Sequence, residues 1–293
     1  MSLTSKPAAC PQHHYRASVS PPARAAVVFA LVLALLAGCS QLADSPALKL
    51  GAATSYLECA ARDVLGDRVE FIRLAEPGMC PGHFDLRPSQ IADLRQCRAL
   101  LRFDFQKSLD AKLTDIIAQG LKVVDVTVGG GMCEAASYLR ACRQLADAFI
   151  AAGLIPRDRA EARCEKIAAR VNGCLAKLQA DVDRAGLKNL PVVASGHQKA
   201  FCETLGLRVV GSFRASDVAR ISEIDDVIQS ARKAGVKYII ANLPEGRRLA
   251  DALGERLGAK VVEFGNFPDA REGEAAFDKL IAANVRALLD AAR

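Results

Sequence analysis

The sequence predicts an α/β protein of two parallel-sheet lobes joined by one long helix. Three observations carry that expectation. Short apolar runs alternate with amphipathic stretches from residue 48 to about 152, the rhythm of strands covered by helices. A run of nearly thirty residues, 157–185, then carries no Pro and places Ile167, Val171, Leu175, Leu178 and Val182 three or four apart. After it the strand–helix rhythm restarts and continues to the end.

In order, 48–54 reads as a strand and 55–65 as a helix, with Ser55 as its cap. A strand at 68–74 leads into Glu76 to Ser89, where two Gly and three Pro make a rigid, irregular loop. A helix at 90–97, a strand at 99–103 and an amphipathic helix at 107–118 follow. The strand 121–128 runs into Gly129-Gly130-Gly131-Met132-Cys133-Glu134, and 135–152 is helical until Ile155-Pro156 breaks it. Asn172-Gly173 weakens the middle of the next run without stopping it. At that length one helix spans about 40 Å, too long for a routine crossover and suited to a connector. The second half gives strands at 191–195, 207–213, 236–241 and 260–264. Its helices are expected to end at Leu205 and to span 223–234, 246–257 and 273–292. The resulting division is 47–156, 157–185 and 186–293.

The N-terminal 38 residues have the pattern of a signal peptide. Lys6, Arg16 and Arg24 precede an unbroken apolar run from Ala25 to Leu36, shorter than the roughly 20 residues that span a bilayer. Leu36-Ala37-Gly38-Cys39 resembles a bacterial lipobox, so Cys39 is the expected lipidation site and 39–46 a tether. The protein is therefore expected in the periplasm or cell envelope, held to a membrane by its N-terminal lipid only.

The formal charge of +6 is spread along the chain. No basic stripe with interleaved aromatic residues is present, which argues against nucleic acid. No Ser/His/Asp set, GxGxxG or Walker pattern occurs either, so no enzyme is expected. Eight cysteines lie between Cys59 and Cys202, an even number that suits disulfides in an exported chain.

Two of the four histidines fall in the signal region. The others, His83 and His197, each follow a strand, and strand C-termini are where open α/β sheets bind ligands. Cys133 and Asn242 also follow strands, so two donors come from each half. Imidazole and thiolate suit a borderline ion such as zinc, and thiolate also suits copper. For Cys133 the competing role is a disulfide, with Cys80 the candidate partner. Cys80 could instead be a ligand.

Several motifs then resemble the ZnuA/TroA-like solute-binding proteins of zinc and manganese ABC importers. Gly66-Asp67-Arg68-Val69 precedes a strand, and Pro77-Gly78, His83 and Pro88-Ser89 share one loop. Ser195-Gly196-His197-Gln198-Lys199-Ala200-Phe201 leads to Leu205-Gly206-Leu207, and Gly258-Ala259-Lys260-Val261 opens the last strand. The resemblance implies two lobes bridged by a helix, and a monomer that captures Zn2+, with Mn2+ or copper as alternatives, and delivers it to an ABC permease. Two departures stand out. The family's second His is missing, with Cys133 or Glu134 in its neighbourhood. Asn242 replaces the acidic ligand unless Glu245 reaches in. The alternatives are a thiol-rich envelope lipoprotein of the same fold that has lost transport, or a chelatase-like enzyme.

Overall fold

The computed structural model describes residues 48–66, 69–77, 79, 85–214, 221–269, 271 and 276–293. His83, Cys80 and Cys39 lie outside the described residues.

The fold class is the one expected. The first sheet contains β1 (Leu48–Ala52), β2 (Val69–Arg73), β3 (Ala99–Phe103) and β4 (Lys122–Val126), in the order β2-β1-β3-β4. The second contains β5 (Pro191–Ser195), β6 (Arg208–Phe213), β7 (Tyr238–Asn242) and β8 (Lys260–Phe264), in the order β6-β5-β7-β8. All the neighbouring strands run parallel. In each sheet the order of connection reverses between the two central strands, the switch point beyond whose C-terminal ends open α/β sheets form a crevice. Strands β3, β5 and β7 are almost wholly buried, which is why they read as apolar runs and not as alternating ones.

The covering helices of the first half are α1 (Ser55–Leu65), α2 (Pro88–Leu94), α3 (Ser108–Lys112), α4 (Thr114–Ala118) and α5 (Ala135–Ala151). The connector α6 is Arg157–Arg184, about 42 Å long at 1.5 Å per residue. It runs straight through Gly173, where a Cβ would meet open space. The second half adds α7 (Lys199–Thr204), α8 (Ile221–Ala234), α9 (Arg248–Leu257) and α10 (Ala276–Ala292). No helix among the described residues is long and apolar enough to cross a membrane.

Three local expectations are corrected. The cap of α1 is Thr54, whose hydroxyl accepts from the Leu57 amide at 3.5 Å, so Ser55 is the first helical residue. The helix expected over 107–118 divides at Leu113, after a 3-10 turn at Asp104–Gln106. The Thr114 hydroxyl bonds back to the carbonyls of Asp110 and Ala111 there, a competition that bends short helices. The seven described cysteines, from Cys59 to Cys202 without Cys80, are free thiols. No disulfide therefore joins any two of them.

One apolar core runs through both sheets. Leu50, Leu101, Val126 and Tyr138 belong to the same buried cluster as Val192, Ile240, Phe264 and Phe277. Between the lobes, Phe277 of α10 stacks on Tyr138 of α5, with ring centres 4.0 Å apart and planes 8° apart, and meets Tyr56 of α1 edge-on. Asp63 joins this contact to the connector. It accepts from the Tyr138 hydroxyl at 2.8 Å and from Arg170 at 2.5 and 3.2 Å. Arg170 also lies 3.1 Å from Asp278 of α10.

Candidate functional site

The C-terminal ends of β5 and β7 flank the crevice of the second sheet. After β5 come Gly196, His197 and Gln198, and after β7 a 3-10 turn, Leu243–Glu245. The two loops meet through Glu245. One carboxylate oxygen takes a short hydrogen bond from the Ser195 hydroxyl. The other lies 3.8 Å from His197 Nε2. His197 projects into solvent, its side chain 65% exposed, whereas that of Glu245 is only 14% exposed. Ser195 also accepts from the His197 amide at 3.3 Å, so one hydroxyl steadies both groups.

The Gly-rich loop after β4 closes on this place from the first lobe. Gly130 has φ +103, and a Cβ there would stand 2.1 Å from the Glu134 carboxylate. Only glycine fits that position. The Glu134 carboxylate accepts from the Gly131 amide at 2.6 Å and thereby fixes the loop. A Cβ on Gly131 would lie 3.3 Å from the His197 carbonyl oxygen, so the two loops are in backbone contact.

Cys133 and Asn242 do not share the solvent-exposed position of His197. They point inward, into a buried polar cluster. Cys133 Sγ donates to the Gly265 carbonyl at 3.2 Å and approaches Asn266 Oδ1 at 3.5 Å. Gln198 Nε2 donates to Asn242 Oδ1 at 2.9 Å and to the Gly265 carbonyl at 3.2 Å. Asn284 of α10 grips Gly265 at both ends, its Oδ1 accepting from the amide at 2.8 Å and its Nδ2 donating to the carbonyl at 3.0 Å. Asn284 Nδ2 also points at Cys133 Sγ, 3.6 Å away. Burial pushes the Cys133 thiol up to about 12, against the lowering effect of bonds from Gln198 and Asn284. It is a neutral thiol at ordinary pH. Gln198 Oε1 is buried with no hydrogen-bond partner.

The structure therefore brings together the loops of Cys133, His197 and Asn242, and sets Glu245, the alternative to Asn242, at the His197 side. It also shows three residues that the sequence reading passed over, Gln198, Asn266 and Asn284. Asn284 carried a signal. It sits at helical spacing with Ile281, Val285 and Leu288, all buried, and a polar residue on an apolar face must find partners. Among the described residues, no three His, Cys, Asp or Glu side chains come close enough to hold a metal ion.

No family model matches the chain, and no curated protein matches it. The fold is similar to that of solved structures. A crystal structure of ZnuA is 15% identical at a TM-score of 0.67, over 84% of this chain and 100% of that one. The Mn-bound periplasmic metal binding protein from Candidatus Liberibacter asiaticus is 13% identical at a TM-score of 0.68, with the same coverage. A zinc-bound ZnuA deletion mutant is 15% identical at 0.66, over 84% and 98%. The chain has the two-lobed fold of these proteins.

Proposed function

We propose that this chain is a divergent member of the ZnuA/TroA-like solute-binding proteins. In this reading it captures a transition-metal ion between its lobes and hands it to an ABC permease. The observation that carries the reading is the pairing of His197 with Glu245 at the crevice of the second sheet. Two donors of one tetrahedral zinc ion stand roughly 3.4 Å apart, from bond lengths of about 2.1 Å. A separation of 3.8 Å is within a small side-chain adjustment of that. Similar folds bearing zinc, manganese and cadmium support a divalent ion as the cargo.

His83, from the loop after β2, is the donor proposed from the first lobe, and it would make the site span both halves. Cys133 and Asn242 are proposed as inner residues, Cys133 joining the ion only when its proton leaves. Cys80 and Glu134 remain reserves, although the Glu134 carboxylate already serves its own loop. Zinc is the favoured cargo, ahead of manganese or copper. A lipid on Cys39 would hold the exported, monomeric protein beside its permease. The neutral character of the Cys133 cluster favours one competing reading, an envelope lipoprotein of this fold that has lost metal transport.

Calorimetric titration with zinc separates the two. His83→Ala, His197→Ala and Glu245→Gln are each expected to weaken binding more than tenfold, because each removes a direct bond, while Asn242→Ala costs less. A chain that binds no zinc would support the competing reading. Full affinity in both His197→Ala and Glu245→Gln would place the ion elsewhere.

A further inference from the structure

We propose that the first lobe binds an anionic amphiphile, an acyl chain with a negatively charged head, at the end of its sheet opposite the crevice. A pocket of about 530 Å³ opens there beside the N-terminal ends of β3 and β4, a size common among small-molecule sites. Its interior is apolar, formed by Ile116 of α4, Val124 of β4, and Phe149 and Leu154 at the end of α5. Its rim carries Arg95, Arg98 and Lys122, and no carboxylate lines it among the described residues. The Arg95 guanidinium donates to Gln119 Oε1 at 2.8 Å across the mouth, which holds the rim in shape.

The cations have a simpler explanation by themselves. Helices α2, α4 and α5 all end at this pole, and positive side chains complement helix C-termini. That explanation does not account for an apolar hollow beneath the cations. Strand β4 is the edge of its sheet, and Val124 stays half-buried where a covering element would hide it. A cationic mouth over an apolar interior matches a ligand with a charged head and a hydrocarbon tail.

Such a ligand could be a free fatty acid or a bilayer phospholipid. The Arg98 amide donates to the Lys49 carbonyl at 2.9 Å, so the N-terminal segment joins the body beside this rim. The nine links from Cys39 to Leu48 can span at most about 32 Å. A lipid on Cys39 would tether the chain to a bilayer. The bilayer source rests on that anchor, whereas the free-acid source does not.

The test uses the mature chain from residue 39 with Cys39→Ser, which carries neither the apolar leader nor a lipid of its own. Binding of dodecanoate is measured by calorimetry. Binding to phosphatidylglycerol and phosphatidylcholine vesicles is measured by co-sedimentation. We expect dodecanoate or phosphatidylglycerol vesicles to bind. Affinity should fall at least tenfold in Arg98→Glu/Lys122→Glu and in Ala152→Trp, which places a ring at the exposed side of the apolar interior. An unchanged unfolding midpoint verifies that both variants fold. Dodecanoate binding identifies the free acid as a ligand, and binding to phosphatidylglycerol alone identifies the bilayer. No binding of either probe overturns the proposal. Vesicle binding that falls on charge reversal but survives Ala152→Trp overturns it too, because plain charge attraction needs no pocket.

Discussion

Phe277→Ala probes whether the two lobes form one cooperative body. Phe277 is fully buried and belongs to the second half, yet its rings of contact, Tyr138 and Tyr56, belong to the first. Removing a buried Phe costs about 3–5 kcal/mol. The parallel stack at 4.0 Å and the edge contact at 6.2 Å argue for the upper half of that range, since such pairs add about 0.5–1.5 kcal/mol beyond area. We take about 4.5 kcal/mol. With a urea slope of about 3 kcal/mol/M, the midpoint should fall by about 1.5 M. Phe277→Leu keeps much of the volume and loses the stack, so its midpoint should lie between those of the parent and the Ala variant. Urea unfolding followed by circular dichroism and by tyrosine fluorescence gives the measurement. A loss below about 1 kcal/mol would refute the claim that this contact joins the lobes. Two separate transitions in the parent chain would refute the claim that the core cluster shared by both sheets makes them one cooperative body.

Two further outcomes are expected. Cys133 should react very slowly with iodoacetamide at pH 8 in the native chain and quickly in urea. Its thiol is pushed up to about 12 by burial, so the thiolate forms only as pH approaches that value, whereas the unfolded thiol ionises near 8.5. Rapid native labelling, read by peptide mass spectrometry, would contradict the buried placement. Cys39→Ser should release the protein from membranes, and retention after salt washing would contradict the lipid anchor.

The strands were legible because parallel strands buried on both faces leave uninterrupted apolar runs. The segments 99–103 and 191–195 are such strands in the structure, whereas 260–264, an edge strand with alternating burial, was legible from Val261, Val262 and Phe264. The connector was legible for a different reason, its lack of Pro and its three-and-four apolar spacing. The break at Leu113 was not, because it depends on a hydroxyl choosing the backbone of its own helix. Within the candidate site, residue chemistry pointed to loops that the structure brings together after β4, β5 and β7, but not to side-chain direction. His197 and Gln198 are neighbours, and one is exposed while the other is fully buried. Nothing in the sequence separates those two directions. Asn242 reads as a strand-end ligand; it does end β7, but its oxygen accepts from Gln198.

The buried cluster also constrains which ion could draw Cys133 into the site. The side chains of Cys133, Gln198, Asn242, Asn266 and Asn284 are neutral together, so they offer a cation dipoles but no compensating charge. To bind as a thiolate at pH 7, Cys133 must lose a proton held about five units above the solution pH. That costs about 7 kcal/mol. Structural zinc sites with a full set of thiolate and imidazole ligands bind with about 10–16 kcal/mol at pH 7, so drawing this proton off would take a large share of what such a site supplies, and only a strongly thiophilic ion could bear it. A hard ion such as manganese gains little from sulfur and cannot offset it. Manganese would thus be left with the imidazole and carboxylate at the exposed edge, while zinc or copper could recruit the inner thiol. The same burial that keeps Cys133 unreactive in the free protein would then make its engagement a measure of the softness of the ion.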